Sequence, residues 1–377
     1  MIAKPSHICH ISQSAGGVET YILNVLRYAN KKEFRHTVIC SDNGTLACTA
    51  KAAGAEVILF PMVREISPFG DFASLVKLLP VIRRLRPDII HAHSGKGGIF
   101  GRLCGTLLGS PVVFTPHGFS YLGQNGFRRW IVLGIEKVLT CFAALLMATS
   151  PSEGKRAVTE VGWCQGKVSV KFPNSIEISG DTVKHNARKT ARIIMVNRLS
   201  YQKNPQMALR VARLVADHTS SIRFIVLGAG YGDECGSSVA ELMLNLRLAK
   251  IVSFREWCDP TGVTQELLRS DIFISTSRYE GLPYTVLEAM EKGLPVVATR
   301  IDGVVDLVEH GQTGFLTEID DDATMAGHIM RLAADANLRR KLGQAGKEKI
   351  KNLFNIDKNI KKLEEIYYSL IHQEDNR

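Results

Sequence analysis

Glu280 and Glu288 stand eight residues apart in the segment Ser277-Arg278-Tyr279-Glu280-Gly281-Leu282-Pro283-Tyr284-Thr285-Val286-Leu287-Glu288-Ala289-Met290. An ionised carboxylate accepts hydrogen bonds and donates none, so this pair suits a ligand rich in hydroxyl groups. Pro283 is placed to open the helix that carries Glu288, and the positive end of that helix would fall between the two acids, where a phosphate is favoured. A sugar nucleotide offers all of these: sugar hydroxyls, a diphosphate and ribose hydroxyls. A plain helix start with one acidic neighbour would account for Glu280 but not for Glu288 further along.

Four other segments carry chemistry. In Asn197-Arg198-Leu199-Ser200-Tyr201-Gln202-Lys203-Asn204, Arg198 and Lys203 can converge on a diphosphate as a bidentate fork and a point charge. Two surface cations on a loop are the bland alternative, and the position just past a strand end favours the ligand. Gly16 and Gly17, within Ser14-Ala15-Gly16-Gly17-Val18-Glu19, are either a tight strand-to-helix turn or an anion cradle at a helix start. Their order is not the dinucleotide fingerprint G-x-G-x-x-G. His91 and His93 occupy alternate strand positions and share a face, as metal ligands could, but no third ligand is evident and no metal is expected. Lys96 follows among Gly95, Gly97 and Gly98, as a phosphate neighbour or as a solvated loop cation. His117, in Thr115-Pro116-His117-Gly118, ends a strand, where a lone histidine is either structural or turned toward a ligand.

These residues need strands and helices to hold them. Strand-like apolar runs at His7–Ile11, Thr37–Cys40, Glu56–Phe60, Ile89–His91, Pro111–Thr115 and Ala144–Ala148 fill the first half. Others at Ile193–Val196, Arg223–Leu227, Ile251–Phe254, Ile272–Ser275, Pro295–Ala298 and Gly314–Leu316 fill the second. Helical stretches such as Val18–Asn30, Phe72–Leu85, Met207–Asp217 and Tyr284–Lys292 lie between them. The alternation predicts α/β folding with parallel sheets covered on both faces. The pattern restarts after a polar stretch, so we expect a domain over 1–173, a linker over 174–190, a second domain over 191–354, and a helix within 355–377 that packs back on the first domain. Two doubly wound domains would leave a crevice at their strand carboxyl ends, where ligands bind.

Composition narrows the class. The 377 residues are 45% hydrophobic and 22% charged, a soluble globular balance that excludes disordered, collagen-like and polytopic membrane proteins. Residues 1–185 hold 21 basic and 12 acidic side chains, whereas 186–377 hold 26 and 25. The first half is therefore suited to an anionic partner. The longest apolar stretch, Trp130–Met147, is broken by Glu136 and Lys137 and reads as a helix running into a strand. Eight scattered cysteines lack metal-site spacing and read as buried thiols of a reducing cytoplasm.

Taken in order, Asn197-Arg198-Leu199, Lys203-Asn204, Gly228-Ala229-Gly230, Asp271, Glu280-Gly281-Leu282-Pro283, Glu288-Ala289-Met290, Gly293-Leu294-Pro295 and Gly303 resemble the family 4 glycosyltransferases, retaining enzymes of the GT-B architecture. Gly16-Gly17-Val18-Glu19 and Thr115-Pro116-His117-Gly118 extend the resemblance to nearly the whole chain. It implies two Rossmann-like doubly wound domains facing across a cleft. It further implies that Arg198 and Lys203 neutralise the donor diphosphate, Glu280 holds donor-sugar hydroxyls and Glu288 the ribose hydroxyls. Gly281, Leu282 and Thr285 would line the sugar and phosphates through their backbone, Gly17 would admit the diphosphate or acceptor, and His117 would meet the donor sugar or its reacting centre. No metal or other cofactor is implied, because cationic side chains and a helix dipole supply the charge.

Two departures stand out: Ser175 follows Asn174 where glycine is usual, which reads as a turn variant, and Arg255 stands where glycine is common. UDP is the family's usual carrier. The stretch His91–Tyr121 is most similar to bacterial exopolysaccharide, capsule and O-antigen transferases. Basic clusters at Arg83-Arg84-Leu85-Arg86 and Arg128-Arg129-Trp130 then suit an anionic membrane bearing a lipid-diphosphate acceptor, or else a generic solvated face. The expected partners are thus a nucleotide-sugar donor, a lipid-linked oligosaccharide and the inner face of a bacterial plasma membrane, with no nucleic acid. A sugar-nucleotide 2-epimerase of the same architecture would want further acid/base groups. A basic nucleic-acid binder would leave the two carboxylates unexplained.

Overall fold

The computed structural model describes residues 4–13, 16–41, 45–62, 67–183, 190–230 and 234–374. It divides into two compact units, 1–175 with 356–377, and 176–355. The C-terminal helix Ile356–Glu374 thus counts with the first unit. No helix among the described residues is long and apolar enough to cross a membrane.

The first unit is built on a seven-stranded sheet of β1 (Ser6–Ser12), β2 (Phe34–Cys40), β3 (Glu56–Leu59), β4 (Ile89–His93), β5 (Val112–Thr115), β6 (Leu145–Met147) and β7 (Val168–Ser169). Every strand pair is parallel, in the order β3-β2-β1-β4-β5-β6-β7. Cys9, Ile11, Ile90, Ala92 and Phe114 form an apolar core on one face. The opposite face of the central strands carries histidines instead, covered by Tyr21 and Tyr367. The two-residue β7 has too short a run to be read from sequence.

The second unit repeats the plan with β8 (Ala191–Val196), β9 (Ile222–Ala229), β10 (Val252–Glu256), β11 (Ile272–Ser275), β12 (Val296–Thr299) and β13 (Gly314–Thr317), ordered β10-β9-β8-β11-β12-β13. In both sheets the first strand lies at the point where the order reverses, and ligands of such folds bind beyond the strand ends there. In this unit the loops that follow β8 and β11 flank that point, and they carry Arg198, Lys203 and Glu280. Gly303 shows how closely these loops pack. At φ +74°, a Cβ on it would come 2.1 Å from the carbonyl oxygen of Gly281, so only glycine fits.

The polar stretch read as a linker makes contacts with the second unit where it is described. Val183 is buried and donates its N–H to the carbonyl of Lys292 at 2.8 Å, and Ser179 donates to Glu291. Residues 184–189 lie outside the described residues. The cysteines also differ from expectation. Cys9, Cys40 and Cys104 are buried, but Cys48, Cys141 and Cys164 are exposed.

Candidate active site

In the second unit, β8 ends at Val196 and the chain runs through Arg198 to a 3-10 turn over Tyr201–Lys203. That loop is stitched to the one after β11. The N–H of Arg278 donates to the Gln202 carbonyl at 2.7 Å, and the Thr276 hydroxyl donates to the carbonyls of Lys203 and Asn204. The stitching brings Nζ of Lys203 to 2.5 Å from Oε1 of Glu280. Ser277 donates its hydroxyl to the same oxygen at 2.7 Å, and Gln202 reaches the other at 3.3 Å. Glu280 is buried, so its charge depends on these donors.

Arg198 is half-buried, and among the described residues its guanidinium makes no ion pair. A planar cation held at a strand end in this way is ready for an anionic ligand. The helix Tyr284–Glu291 begins at Pro283 with no side-chain cap, placing Gly281, Leu282 and Thr285 around its positive end. Glu288 lies one turn further along. Burial pushes its carboxyl up to about 7, against the pull of Lys292 and with the push of Glu291. The structure joins Lys203 to Glu280 directly, whereas Arg198 and Glu288 make no hydrogen bond to that pair among the described residues.

In the first unit, Gly17 starts the helix Gly17–Tyr28, with Gly16 at φ +85° before it. Ser14 and Ala15 of this loop lie outside the described residues. His117 sits at φ +56°, a left-handed conformation that costs a non-glycine residue on the order of 1–3 kcal/mol. The turn is held by Glu153, whose carboxylate accepts from the N–H of Gly118 at 2.6 Å and from the N–H and hydroxyl of Thr149 at 2.6 and 2.8 Å. Glu153 was not singled out from sequence, although Ser150-Pro151-Ser152-Glu153 is a capping-box pattern and Ser150 does cap that helix.

Two expectations need correction. Lys96 is neither a solvated loop cation nor a free phosphate ligand. It lies buried in the helix Gly95–Leu108, paired with Asp71 at 2.5 Å. His91 and His93 do have a third histidine nearby: His10 on the adjacent strand, with one ring nitrogen from each within 4.8 Å of the others. Strand register supplied it, which no spacing along the chain could show. A metal would nevertheless have to displace existing partners. Both nitrogens of His91 are hydrogen-bonded, to Tyr367 and Thr115, and both of His10 and of His93 are engaged with other histidines.

Both departures have structural uses. The Ser175 hydroxyl accepts from Asn359 at 2.8 Å and donates to the Pro173 carbonyl at 2.9 Å, so it ties the C-terminal helix to its unit. Arg255 pairs with Glu266 at 2.9 Å, beside Arg192 and Arg269 on the same carboxylate. Its position is taken up by an ion-pair cluster.

On the helix Gly126–Leu139, Glu136 faces inward to a buried pair with Arg102 at 2.9 Å. The opposite face is apolar and bare. Phe127 is 78% exposed and Trp130 69%, followed by Ile131, Ile135 and Val138, with Arg128 and Arg129 beside them. The helix Pro68–Leu85 likewise exposes Phe69, Phe72 and Val76 ahead of Arg83 and Arg84.

Comparison with known proteins agrees with this geometry. The profile of a glycosyl transferase 4-like domain matches residues 16–171, and that of glycosyl transferases group 1 matches 181–349. A UDP-Gal:alpha-D-GlcNAc-diphosphoundecaprenol alpha-1,3-galactosyltransferase of Escherichia coli is 27% identical, covering 94% of each chain. The capsular polysaccharide biosynthesis glycosyltransferase CapM of Staphylococcus aureus is 21% identical, over 93% of this chain and 94% of that one. Among solved structures, Anabaena HepE in complex with UDP and glucose superposes with a TM-score of 0.81 at 19% identity, over 97% of this chain and all of its own.

Proposed function

Because this chain belongs to the family 4 glycosyltransferases, we propose that it moves a sugar, with retention at the anomeric carbon, from a UDP-sugar to a polyprenyl-diphosphate-linked oligosaccharide in the assembly of a bacterial surface polysaccharide. The observation that carries this reading is the ion pair of Lys203 with Glu280 at 2.5 Å beside the helix start at Tyr284. It sets a cation, a carboxylate and a helix N-terminus side by side at the strand ends where such folds bind ligands, a combination that suits a sugar joined to a diphosphate.

In this mechanism the bond between the donor's anomeric carbon and the diphosphate breaks as an acceptor hydroxyl oxygen bonds to that carbon. The acceptor proton passes to the departing nucleoside diphosphate, whose oxygen gains the charge of the broken bond. Arg198 and Lys203 neutralise the charge that grows on the leaving group. Glu280 holds hydroxyls of the sugar and Glu288 those of the ribose, while the backbone of Gly281, Leu282 and Thr285 lines the sugar and phosphates. On the first unit, Gly17 is assigned to the diphosphate or acceptor and His117 to the reacting sugar. These cations and the helix dipole do the electrostatic work without a metal.

The lipid-linked acceptor and a position at the inner membrane face are supported by the apolar stripe of Phe127, Trp130 and Ile131 beside Arg128 and Arg129. Aromatic rings beside basic groups suit an anionic bilayer surface. The Escherichia coli relative, named for a diphosphoundecaprenol acceptor, points to the same acceptor class. The test is incubation with labelled UDP-sugars and polyprenyl-diphosphate-linked acceptors. Label should pass to the lipid phase. Label found only in soluble saccharides would sink the lipid part, and no transfer from any UDP-sugar would sink the donor assignment.

A further inference from the structure

One face of the first sheet carries four imidazoles in a row. His36 lies on β2, His10 on β1, His93 on β4, and His117 on the turn after β5. Register lines them up. His36 pairs with Ile8, two residues before His10, and His10 pairs with His91, two residues before His93. Alternate residues of a strand share a face, so the rings on these strands point the same way.

Each ring meets the next nitrogen to nitrogen. Nδ1 of His36 lies 3.1 Å from Nε2 of His10, Nδ1 of His10 3.1 Å from Nε2 of His93, and Nδ1 of His93 3.1 Å from Nε2 of His117. The centroids are 5.3, 5.4 and 5.4 Å apart, with planes 26°, 19° and 32° from parallel. These are edge-to-edge contacts, unlike the face-over-face pair of His91 and His93 at 4.2 Å. The sense never reverses. At the two ends, Nε2 of His36 and Nδ1 of His117 are buried with no hydrogen-bond partner among the described residues. A neutral imidazole carries one proton and each gap holds one. Only two arrangements therefore satisfy every link: all four rings protonated on Nε2, or all four on Nδ1.

We propose that these four histidines form a proton wire that ends at His117, holds it in one defined tautomer, and moves a proton between its Nδ1 and the buried Nε2 of His36. With every Nε2 protonated at the start, a proton taken up by Nδ1 of His117 drives its Nε2 proton onto Nδ1 of His93. His93 passes its own Nε2 proton to His10, His10 passes one to His36, and His36, the partly exposed ring, releases one from its buried Nε2 when solvent reaches it. One proton enters and one leaves. Only N–H bonds break and form, and each ring is neutral before and after.

The surroundings favour neutral rings. Burial lowers the basicity of all four, His36 to about 4 and His117 to about 3. Among the described residues no carboxylate is hydrogen-bonded to a ring of the chain. The groups that face it are Tyr21, packed edge-on against His93 and His117, and His91, which is tied to Tyr367. His7 and Lys31 add positive charge near His36, and Glu153 holds the neighbouring Gly118 N–H.

The use of the wire rests on placing His117 at the reacting sugar; its existence does not. Ring-nitrogen NMR of the full chain, labelled in histidine, reads it directly. At neutral pH all four rings should be neutral and protonated on the same nitrogen. His36→Gln, at the partly exposed end, should change or split the tautomer of His117 three rings away while leaving His91 as it was. His10→Phe, which fills the space without nitrogens, should do the same from the middle. A His117 tautomer unmoved by His36→Gln, rings of mixed sense in the wild type, or stoichiometric zinc shifting the nitrogens of His10, His91 and His93 would each overturn the wire. None of these outcomes depends on sugar transfer, so the donor and acceptor assignments stand or fall separately.

Discussion

Lys203 and Glu280, 77 residues apart in sequence, meet at 2.5 Å as a largely buried ion pair. The lysine is therefore already neutralised, and a diphosphate bound at this loop would have to draw it away from Glu280 or share it. Lys203→Ala strands a buried carboxylate that keeps only Ser277 and Gln202 as donors. We expect a loss of about 2 kcal/mol in urea unfolding, the scale of a charged hydrogen bond. Glu280→Gln should cost less, since an amide still accepts from Lys203. Additive effects in the double variant would mean that the pair is uncoupled.

Glu288 gives the second unit a pH dependence. Burial raises its folded carboxyl to about 7, above the ordinary 4.5. Between those values the folded state binds more proton than the unfolded one, so this group makes stability fall as pH rises from 4.5 to 7. Ribose hydroxyls donate best to the ionised form, so UDP affinity should rise as pH passes 7. Glu288→Gln should flatten that rise. Calorimetric titration at pH 6 and 8 checks it, and an equal rise in the variant would remove Glu288 from the ribose.

The buried imidazoles work in the opposite direction. His36 and His117 have folded values of about 4 and 3, below the ordinary 6.5, and those of His10, His91 and His93 are also lowered by burial. Unfolding at acid pH takes up protons on these rings, so stability should be lost as pH falls below 6.5. Each proton contributes about 1.4 kcal/mol per pH unit. Urea midpoints at pH 7 and 5 measure the loss, and His36→Gln should reduce it. Midpoints that do not differ would contradict the neutral burial of this face.

Membrane docking is testable on one helix. Phe127→Ser with Trp130→Ser removes the two most exposed rings of the helix Gly126–Leu139 and should weaken co-sedimentation with anionic vesicles by about tenfold or more, given the apolar area removed. Arg128→Gln with Arg129→Gln should chiefly reduce the salt dependence of binding. Vesicle binding unchanged by the first pair would leave the stripe without a lipid role.

Ser175→Gly restores the residue usual in the family and should destabilise this protein. Asn359 would lose its acceptor in a buried setting, at a cost of about 1–2 kcal/mol. Thermal unfolding gives the answer, and a neutral result would make the hydroxyl dispensable.

How much of this was readable beforehand follows from the range of each signal. Parallel strands buried on both faces are continuous apolar runs, so Ile272–Ser275 was located to the residue. Lys203 and Glu280 were recognisable because each sits in its own short motif just past such a strand. The histidine row was not. His10 and His36 belong to separate strands, and their alignment depends on the pairing of Ile8 with His36, which local patterning does not encode. Arg255 and Ser175 looked like departures because glycine is usual there, and their partners, Glu266 and Asn359, are set by folding and not by any local motif.

The return of the helix Ile356–Glu374 to the first unit has a consequence for synthesis on the ribosome. Tyr367, which binds His91 at 2.6 Å, is translated after the whole of residues 176–355. Until then the polar face of the first sheet lacks part of its cover, so the unit begun first is finished last. A nascent chain stalled before residue 356 should hold a folded second unit beside a first unit that is open to proteases and chaperones.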